Sequence, residues 1–397
     1  MPKTPLGSTY FPRLRRHFNL AKLHGDAFHD MFVQLLKQKS ITFVKSGEKT
    51  AYMPRKIMKL VIDDKIPYIH GIPEALGFEA LYLPGAEITH SDVKDADALI
   101  VRTRTRCNAT LLHDTKVRFI VTATIGFDHI DADYLYKAGI AWANCPGCNA
   151  ASVGQYFQSS MIVLAKQGLI DMSRCTVGIV GVGHVGREVQ KACSRLGCPT
   201  LLNDPPRSNA GEPGFVALRT LQQECDVITF HVPLTKDGDH PTYHMGNEEF
   251  FESLAQKPVI INASRGAVID NDVWLKHLEN ETTRAAVIDT WEHEPQINPL
   301  LLDKAIIATP HIAGYSADGK ANATRMSLNA VCKFFNLKPD FKVNPPALPH
   351  DMKPMENEDD RVLQLYNPLR DTELLKAEPQ KFEWLRGNYP LRREKWD

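Results

Sequence analysis

The chain has 397 residues, 43% hydrophobic and 24% charged, a length suited to two or three domains and a balance typical of soluble proteins. No apolar run approaches the roughly 20 residues of a membrane helix, and eight scattered cysteines make no disulfide framework, so no membrane partner and a reducing, cytoplasmic setting are expected. Lys plus Arg and Asp plus Glu number 47 each, but residues 1–57 hold 11 basic against 3 acidic groups, leaving −8 on the remainder, which argues against a nucleic-acid surface.

Residues 1–57 are basic and partly amphipathic, a composition also found in transit peptides. They read here as a disordered tail or an over-extended translation start, because MKLVIDD at Met58 abruptly begins a strand. Strands are then expected at 59–62, 98–101 and 118–122, followed by a long helix over 150–166. Further strands are expected at 176–180, 200–203, 226–230, 258–262, 285–288 and 305–308. Helices at 185–196 and 270–278 lie between them, and a last long one runs over 317–335. Short β-branched runs alternating with amphipathic stretches mark a parallel α/β sheet. The Pro-rich segment 338–354 and the acidic cluster 356–360 read as a linker, and the last forty or so residues as a small module or arm.

The strongest local motif is TVGIVGVGHVG at 176–186. An apolar strand runs into Gly181, Gly183 and Gly186 at Gly-x-Gly-x-x-Gly spacing, and a helix follows. The first glycine permits a tight turn, the second lets a pyrophosphate reach the backbone, and the third lets helix and strand pack closely. Asp204 lies 18 positions beyond Gly186, at the end of the next strand, where a carboxylate accepts hydrogen bonds from ribose hydroxyls. That charge repels a 2′-phosphate, which favours NAD, while Arg207 keeps NADP open.

Three later segments, INASRGAVIDN, AVIDTWEHEP and TPHIAGYSADGK, each follow an expected strand. Ligands gather at the carboxyl ends of strands in a doubly wound sheet, so Arg265, Asp289, Glu294 and His311 are expected around one crevice. Their chemistry suits oxidation of a 2-hydroxy acid. An imidazole takes the hydroxyl proton as hydride leaves C2, a carboxylate orients that base, and a guanidinium grips the substrate carboxylate. Each residue alone has a structural reading: a cap, a surface ion pair or a helix start.

These segments, with VTATIGFDHID at 121–131, PGCNA at 146–150, Asp-Pro-Pro-Arg at 204–207 and TFHVPLTKDG at 229–238, resemble the D-isomer-specific 2-hydroxyacid dehydrogenase family. In closer detail they resemble its 4-phosphoerythronate-oxidising branch. The resemblance runs from about Met58 to Trp396. It implies two Rossmann-like lobes with parallel sheets. The cofactor lobe, 153–309, would be inserted in a catalytic lobe built from 58–152 and 310–337. The tail 338–397, ending in LRGNYPLRREKW, would be a linker and a dimerisation segment of a homodimer. The resemblance makes His311 the proton donor and acceptor, Glu294 its partner and Arg265 the catalytic arginine. Asp204, Asp289 and Gly314 become cofactor contacts, and Thr103, Thr124 and Tyr315 substrate contacts. The implied reaction is NAD-dependent oxidation of 4-phospho-D-erythronate to its 2-oxo acid, toward pyridoxal 5′-phosphate. The chain departs from the pattern at Thr103 (often Ser), Val232 (often Thr) and Gln155 (often Glu, affecting local hinge electrostatics).

Cys145-x-x-Cys148 admits a redox reading, but zinc needs four ligands and no second pair is nearby, so no metal is expected. Arg102, Arg104 and Arg106 alternate around Thr103 and, on an extended segment, would share one face as a phosphate receptor or a solvated edge. Arg386, Arg392 and Arg393 of the tail are further candidates, reaching a neighbouring subunit's cleft. Two other functions stay open: a different 2-hydroxy acid, such as 3-phosphoglycerate, and a non-enzymatic NAD-sensing module.

Overall fold

Segments such as ALIV, VGIV and VIIN have almost no polar face, so they need cover on both sides, as in a parallel sheet between helices. The computed structural model, which describes residues 57–396, has that architecture. The first sheet contains β1 (Met58–Asp63), β2 (Phe78–Leu83), β3 (Ala98–Val101), β4 (Phe119–Thr122) and β5 (Ala141–Ala143) in the order β2-β1-β3-β4-β5. The second contains β6 (Val177–Val180), β7 (Thr200–Asn203), β8 (Val227–Phe230), β9 (Val259–Asn262), β10 (Ala285–Ile288) and β11 (Ile307–Ala308) in the order β11-β10-β9-β8-β6-β7. Every pairing is parallel. The expectation for residues 1–56 lies outside the described residues.

Two strands were not expected. β2 is a half-exposed edge whose FEALYL mixes polar and apolar positions, and β5 spans three residues. The strand expected at 305–308 shortens to Ile307–Ala308, because Ala305 caps the preceding helix Pro299–Lys304.

The helix Ala150–Lys166 is buried along most of its length, and its polar residues, Ser152 and Gln155 among them, are buried with it. It carries the chain from the first sheet to the second. The chain returns through residues 309–316 to the helix Ala317–Phe334, which packs against β4. The two crossings lie side by side. Ser152 Oγ and Ser316 Oγ are 2.6 Å apart, and Asn149 Nδ2 donates to the Gly314 carbonyl at 3.2 Å.

Residues 338–354 carry no helix or strand, whereas the acidic cluster and the segment after it are folded. Glu358, Asp359 and Asp360 are the first turn of the helix Glu358–Leu365, where negative charge complements the helix dipole and Asn357 caps the Asp360 N–H. Helices Pro368–Ala377 and Phe382–Gly387 then bury Leu375 and Phe382 in the core containing Trp274 and Leu301. Arg392 and Arg393, expected to reach a neighbouring cleft, are buried in their own chain. Gln155 explains this: its Oε1 accepts from Arg392 Nε at 2.8 Å, and its Nε2 donates to the Arg393 carbonyl at 2.8 Å. A Glu at this position could accept but not donate. Arg392 also donates to the Ser152 carbonyl at 2.6 Å and stacks 3.7 Å from the Tyr366 ring centre. Next in the chain, Glu394 Oε1 accepts from the Ser152 and Ser316 hydroxyls, both at 2.7 Å. The tail therefore fastens both crossings.

Arg392→Ala strips charge-assisted hydrogen bonds from Gln155 and two buried carbonyls. At about 1.5–3 kcal/mol for each bond to a charged group, with contributions that do not simply add, we expect a loss of at least about 3 kcal/mol, read as a lower urea midpoint. Arg392→Lys should recover only part, since an ammonium lacks the fork. An unchanged midpoint for Arg392→Ala would contradict the fastening role.

Candidate active site

The glycine motif is built for three separate reasons. Gly181 has φ +86°, and a Cβ there would lie 2.7 Å from the His231 carbonyl. Gly183 caps the helix His184–Leu196, and a Cβ on it would meet nothing within 4 Å, so a ligand can approach the backbone. A Cβ on Gly186 would come within 2.1 Å of the Gly181 carbonyl. Asp204 accepts from the Val182 N–H at 2.9 Å and the Arg207 N–H at 3.2 Å, which fixes its carboxylate beside the glycine turn. An open helix N-terminus next to an anchored carboxylate fits a pyrophosphate and its ribose.

At the ends of β10 and β11 the geometry is tighter. His311 Nδ1 and Glu294 Oε2 are 2.8 Å apart, leaving Nε2 for a substrate hydroxyl. Glu294 Oε1 accepts from the Trp291 N–H at 2.9 Å. Burial alone would raise the Glu294 carboxyl, but the His311 hydrogen bond and charge, the Trp291 N–H and Arg386 hold it below the ordinary value. The group is therefore ionised at neutral pH. His311 has φ +55°, a left-handed conformation that costs a non-glycine residue about 1–3 kcal/mol.

Asp289 holds that conformation in place. Its backbone carbonyl accepts from the His311 N–H at 2.8 Å. Its carboxylate accepts from Thr309 Oγ1 at 2.7 Å, the Ile312 N–H at 2.7 Å and the Ala313 N–H at 3.0 Å. Burial raises this carboxyl, while His311, Thr309 and the two N–H groups pull the other way.

Arg265 lies beside Gly126, with its Nη1 donating to the Ser264 carbonyl at 2.8 Å. Its Nη2 lies 3.2 Å from where a Cβ on Gly126 would stand, and Thr124 Oγ1 donates to the Gly126 carbonyl at 2.8 Å. The next residue, Gly266, packs so closely under the Trp291 carbonyl that a Cβ would be 1.8 Å away. Asp289, His311 and Glu294 thus share one chain of hydrogen bonds, while Arg265 and Thr124 approach each other at Gly126. Gly314 is pressed against Asn149 at the crossing. Tyr315 follows it, with Lys320 Nζ 5.5 Å and Arg386 Cζ 5.7 Å from its ring centre. Thr103 stands apart, exposed on the turn after β3.

One expectation, that of the arginine triplet, is corrected. Residues 102–106 form a turn, so the three arginines share no face. Arg102 pairs with buried Asp63 at 3.2 Å, Arg104 with Glu383 at 3.3 Å, and Arg106 is exposed. Cys145 and Cys148 are buried, and burial pushes their thiols up to about 11 and about 12, which leaves almost no thiolate for redox chemistry. Trp291, Thr309 and Lys320 were not identified from sequence. All three lie inside quoted motifs, but only the fold shows where they point.

His311→Asn should lower the hydride-transfer rate about 10²–10⁴-fold while NADH still binds, measured by single turnover and cofactor fluorescence. Glu294→Gln should slow turnover and move the acid limb of the oxidation rate to lower pH, because the imidazolium loses its anion. A pH profile with an unmoved limb would remove Glu294 from that role.

Residues 154–313 match the family model for the D-isomer specific 2-hydroxyacid dehydrogenase NAD binding domain. A Bacteroides thetaiotaomicron protein named erythronate-4-phosphate dehydrogenase is 52% identical over 338 residues, covering 85% of this chain and 97% of the relative. An Escherichia coli O157:H7 protein of the same name is 40% identical over 353 residues, 85% of this chain and 92% of the relative. Among solved structures, NAD+-bound 3-phosphoglycerate dehydrogenase from Entamoeba histolytica matches with a TM-score of 0.60 at 26% identity, over 72% of this chain and 99% of that one. D-lactate dehydrogenase from Aquifex aeolicus matches in fold, with a TM-score of 0.54 at 23% identity, over 72% and 100%. With the dinucleotide motif and the His–Glu pair in place, the chain belongs to the D-isomer specific 2-hydroxyacid dehydrogenase family and is an NAD-dependent oxidoreductase.

Proposed function

We propose that the chain oxidises 4-phospho-D-erythronate to 3-hydroxy-2-oxo-4-phosphobutanoate, a step toward pyridoxal 5′-phosphate. The relatives' shared name supports this reading, and the cations around Tyr315 carry it. Lys320 is held below the usual lysine range by burial and, second, by the charge of Arg102. Arg386 Nε is buried with no hydrogen-bond partner. Lys320 also lines a cavity of about 220 Å³ with Tyr68, Tyr389, Leu391 and Arg392. Arg102 is paired with Asp63 and Arg386 Nη1 lies 3.7 Å from Glu383 Oε1, so a phosphate would share this clustered positive charge with those carboxylates.

When bound, NAD supplies the hydride acceptor, held through Gly181, Gly183, Gly186 and Asp204, with Asp289 and Gly314 at the nicotinamide end. Arg265 grips the substrate carboxylate from the side of Thr124. His311 Nε2 takes the C2 hydroxyl proton as hydride departs, and Glu294 stabilises the imidazolium. Thr103, Thr124 and Tyr315 line the substrate path, with the phosphate toward Lys320, Arg386 and Arg102. Residues 58–152 and 310–337 act as the catalytic lobe, closing on 153–309 about the paired crossings. The working form is a homodimer whose contact uses the C-terminal segment, where Leu374, Trp384 and Leu391 are exposed. Eight free, buried thiols suit a cytoplasmic location.

Charge-assisted bonds to phosphate contribute about 1.5–3 kcal/mol each. The wild type should therefore favour 4-phospho-D-erythronate over D-erythronate by about 10² or more in kcat/KM. Lys320→Met should remove most of that gap and leave the plain acid little affected, while Arg386→Met should narrow the gap and also slow both acids, because Arg386 acts on Glu294. Equal efficiency on both acids would defeat the phosphate reading, and a preference for 3-phosphoglycerate would reassign the substrate.

A further inference from the structure

Arg207 stands in the first turn after Asp204, where a 2′-phosphate on the adenine ribose would come. Its guanidinium is already engaged. Nε donates to Glu212 Oε1 at 3.0 Å and Oε2 at 3.1 Å, Nη2 pairs with Glu212 as well, and Nη1 donates to the Val182 carbonyl at 2.5 Å. The Phe215 ring lies 5.3 Å from the guanidinium carbon and backs this arrangement. The Nε and Nη2 edge is the fork with which arginine grips a phosphate, and here a carboxylate fills it.

We propose that Glu212 is a cofactor-specificity residue of this chain: by holding the Arg207 fork, it withholds the cation that NADP would need. The proposal rests on the nucleotide site formed by Gly181, Gly183, Gly186 and Asp204. Without Glu212, Asp204 repels a 2′-phosphate while Arg207 attracts it, so discrimination depends on both acidic residues. Arg207 and, less directly, Arg187 act on Glu212, and both hold its carboxyl below the ordinary value, so the lock stays charged across the neutral range. The Glu212 side chain is 48% exposed. Such a pair contributes little to folding, and its effect on cofactor choice weakens with salt.

The test titrates NADH and NADPH by nicotinamide fluorescence in wild type, Glu212→Gln, and Glu212→Gln combined with Arg207→Ala. Gln keeps the size of Glu and removes its charge. One freed charge-assisted bond corresponds to about tenfold or more in affinity. The ratio of NADPH to NADH dissociation constants should therefore fall at least about tenfold in Glu212→Gln and return toward the wild-type ratio in the double variant. The gain should also shrink as salt rises. An unchanged ratio in Glu212→Gln, or a gain that persists without Arg207, would overturn the proposal. Failure of the wild type to bind NADH would instead overturn the nucleotide site itself, so the two failures are distinct.

Discussion

The buried carboxylate of Asp289 is the constraint on which the site depends. It collects one hydroxyl and two backbone N–H groups from residues 309–313, and its own carbonyl takes a third N–H. That set of bonds pays for the left-handed backbone of His311, and this backbone turns the imidazole toward Glu294. Thr309 Oγ1 also lies 3.1 Å from the Tyr156 hydroxyl on the long helix Ala150–Lys166. The catalytic turn is thereby tied to the element that joins the lobes. A carboxylate with three donors in a buried place is a stiff support, because releasing any one leaves a polar group unmet.

A second support comes from the opposite end of the chain. Gln155, Arg392 and Glu394 lock the tail across both crossings, while Arg386 from the same tail reaches the surroundings of Glu294 and Tyr315. The tail therefore reaches the paired crossings, the His311–Glu294 pair and the cations around Tyr315 within one chain. Arg104 closes the outer side by pairing with Glu383, so the turn after β3 and the helix Phe382–Gly387 face each other.

Much of this was legible in the sequence, and the exceptions have physical reasons. Buried parallel strands such as Ala98–Val101 and Ala285–Ile288 read correctly because both faces are apolar. Edge strand β2 escaped because solvent tolerates its polar positions. Glu294 and His311 were legible as chemistry placed after strands, and their pairing follows from sheet order. Lys320 was not legible, because its importance comes from burial and from Arg102, more than two hundred positions away. The arginines of 102–106 misled for a related reason: alternation implies a shared face on a strand, whereas a turn scatters it. In the tail, a basic, aromatic composition suits an arm as well as a module packed on its own chain. Gln155, whose amide meets both Arg392 and Arg393, decides between them.

The central claim is that this network oxidises a 2-hydroxy acid rather than merely sensing NAD. A single-turnover mixing experiment with wild-type protein, NAD and 4-phospho-D-erythronate tests it most directly, following NADH absorbance and the 2-oxo acid together. The account predicts one NADH and one 2-oxo acid per site, from the D isomer and not from the L isomer. NAD that binds while neither phosphorylated nor plain 2-hydroxy acids yield NADH would contradict it.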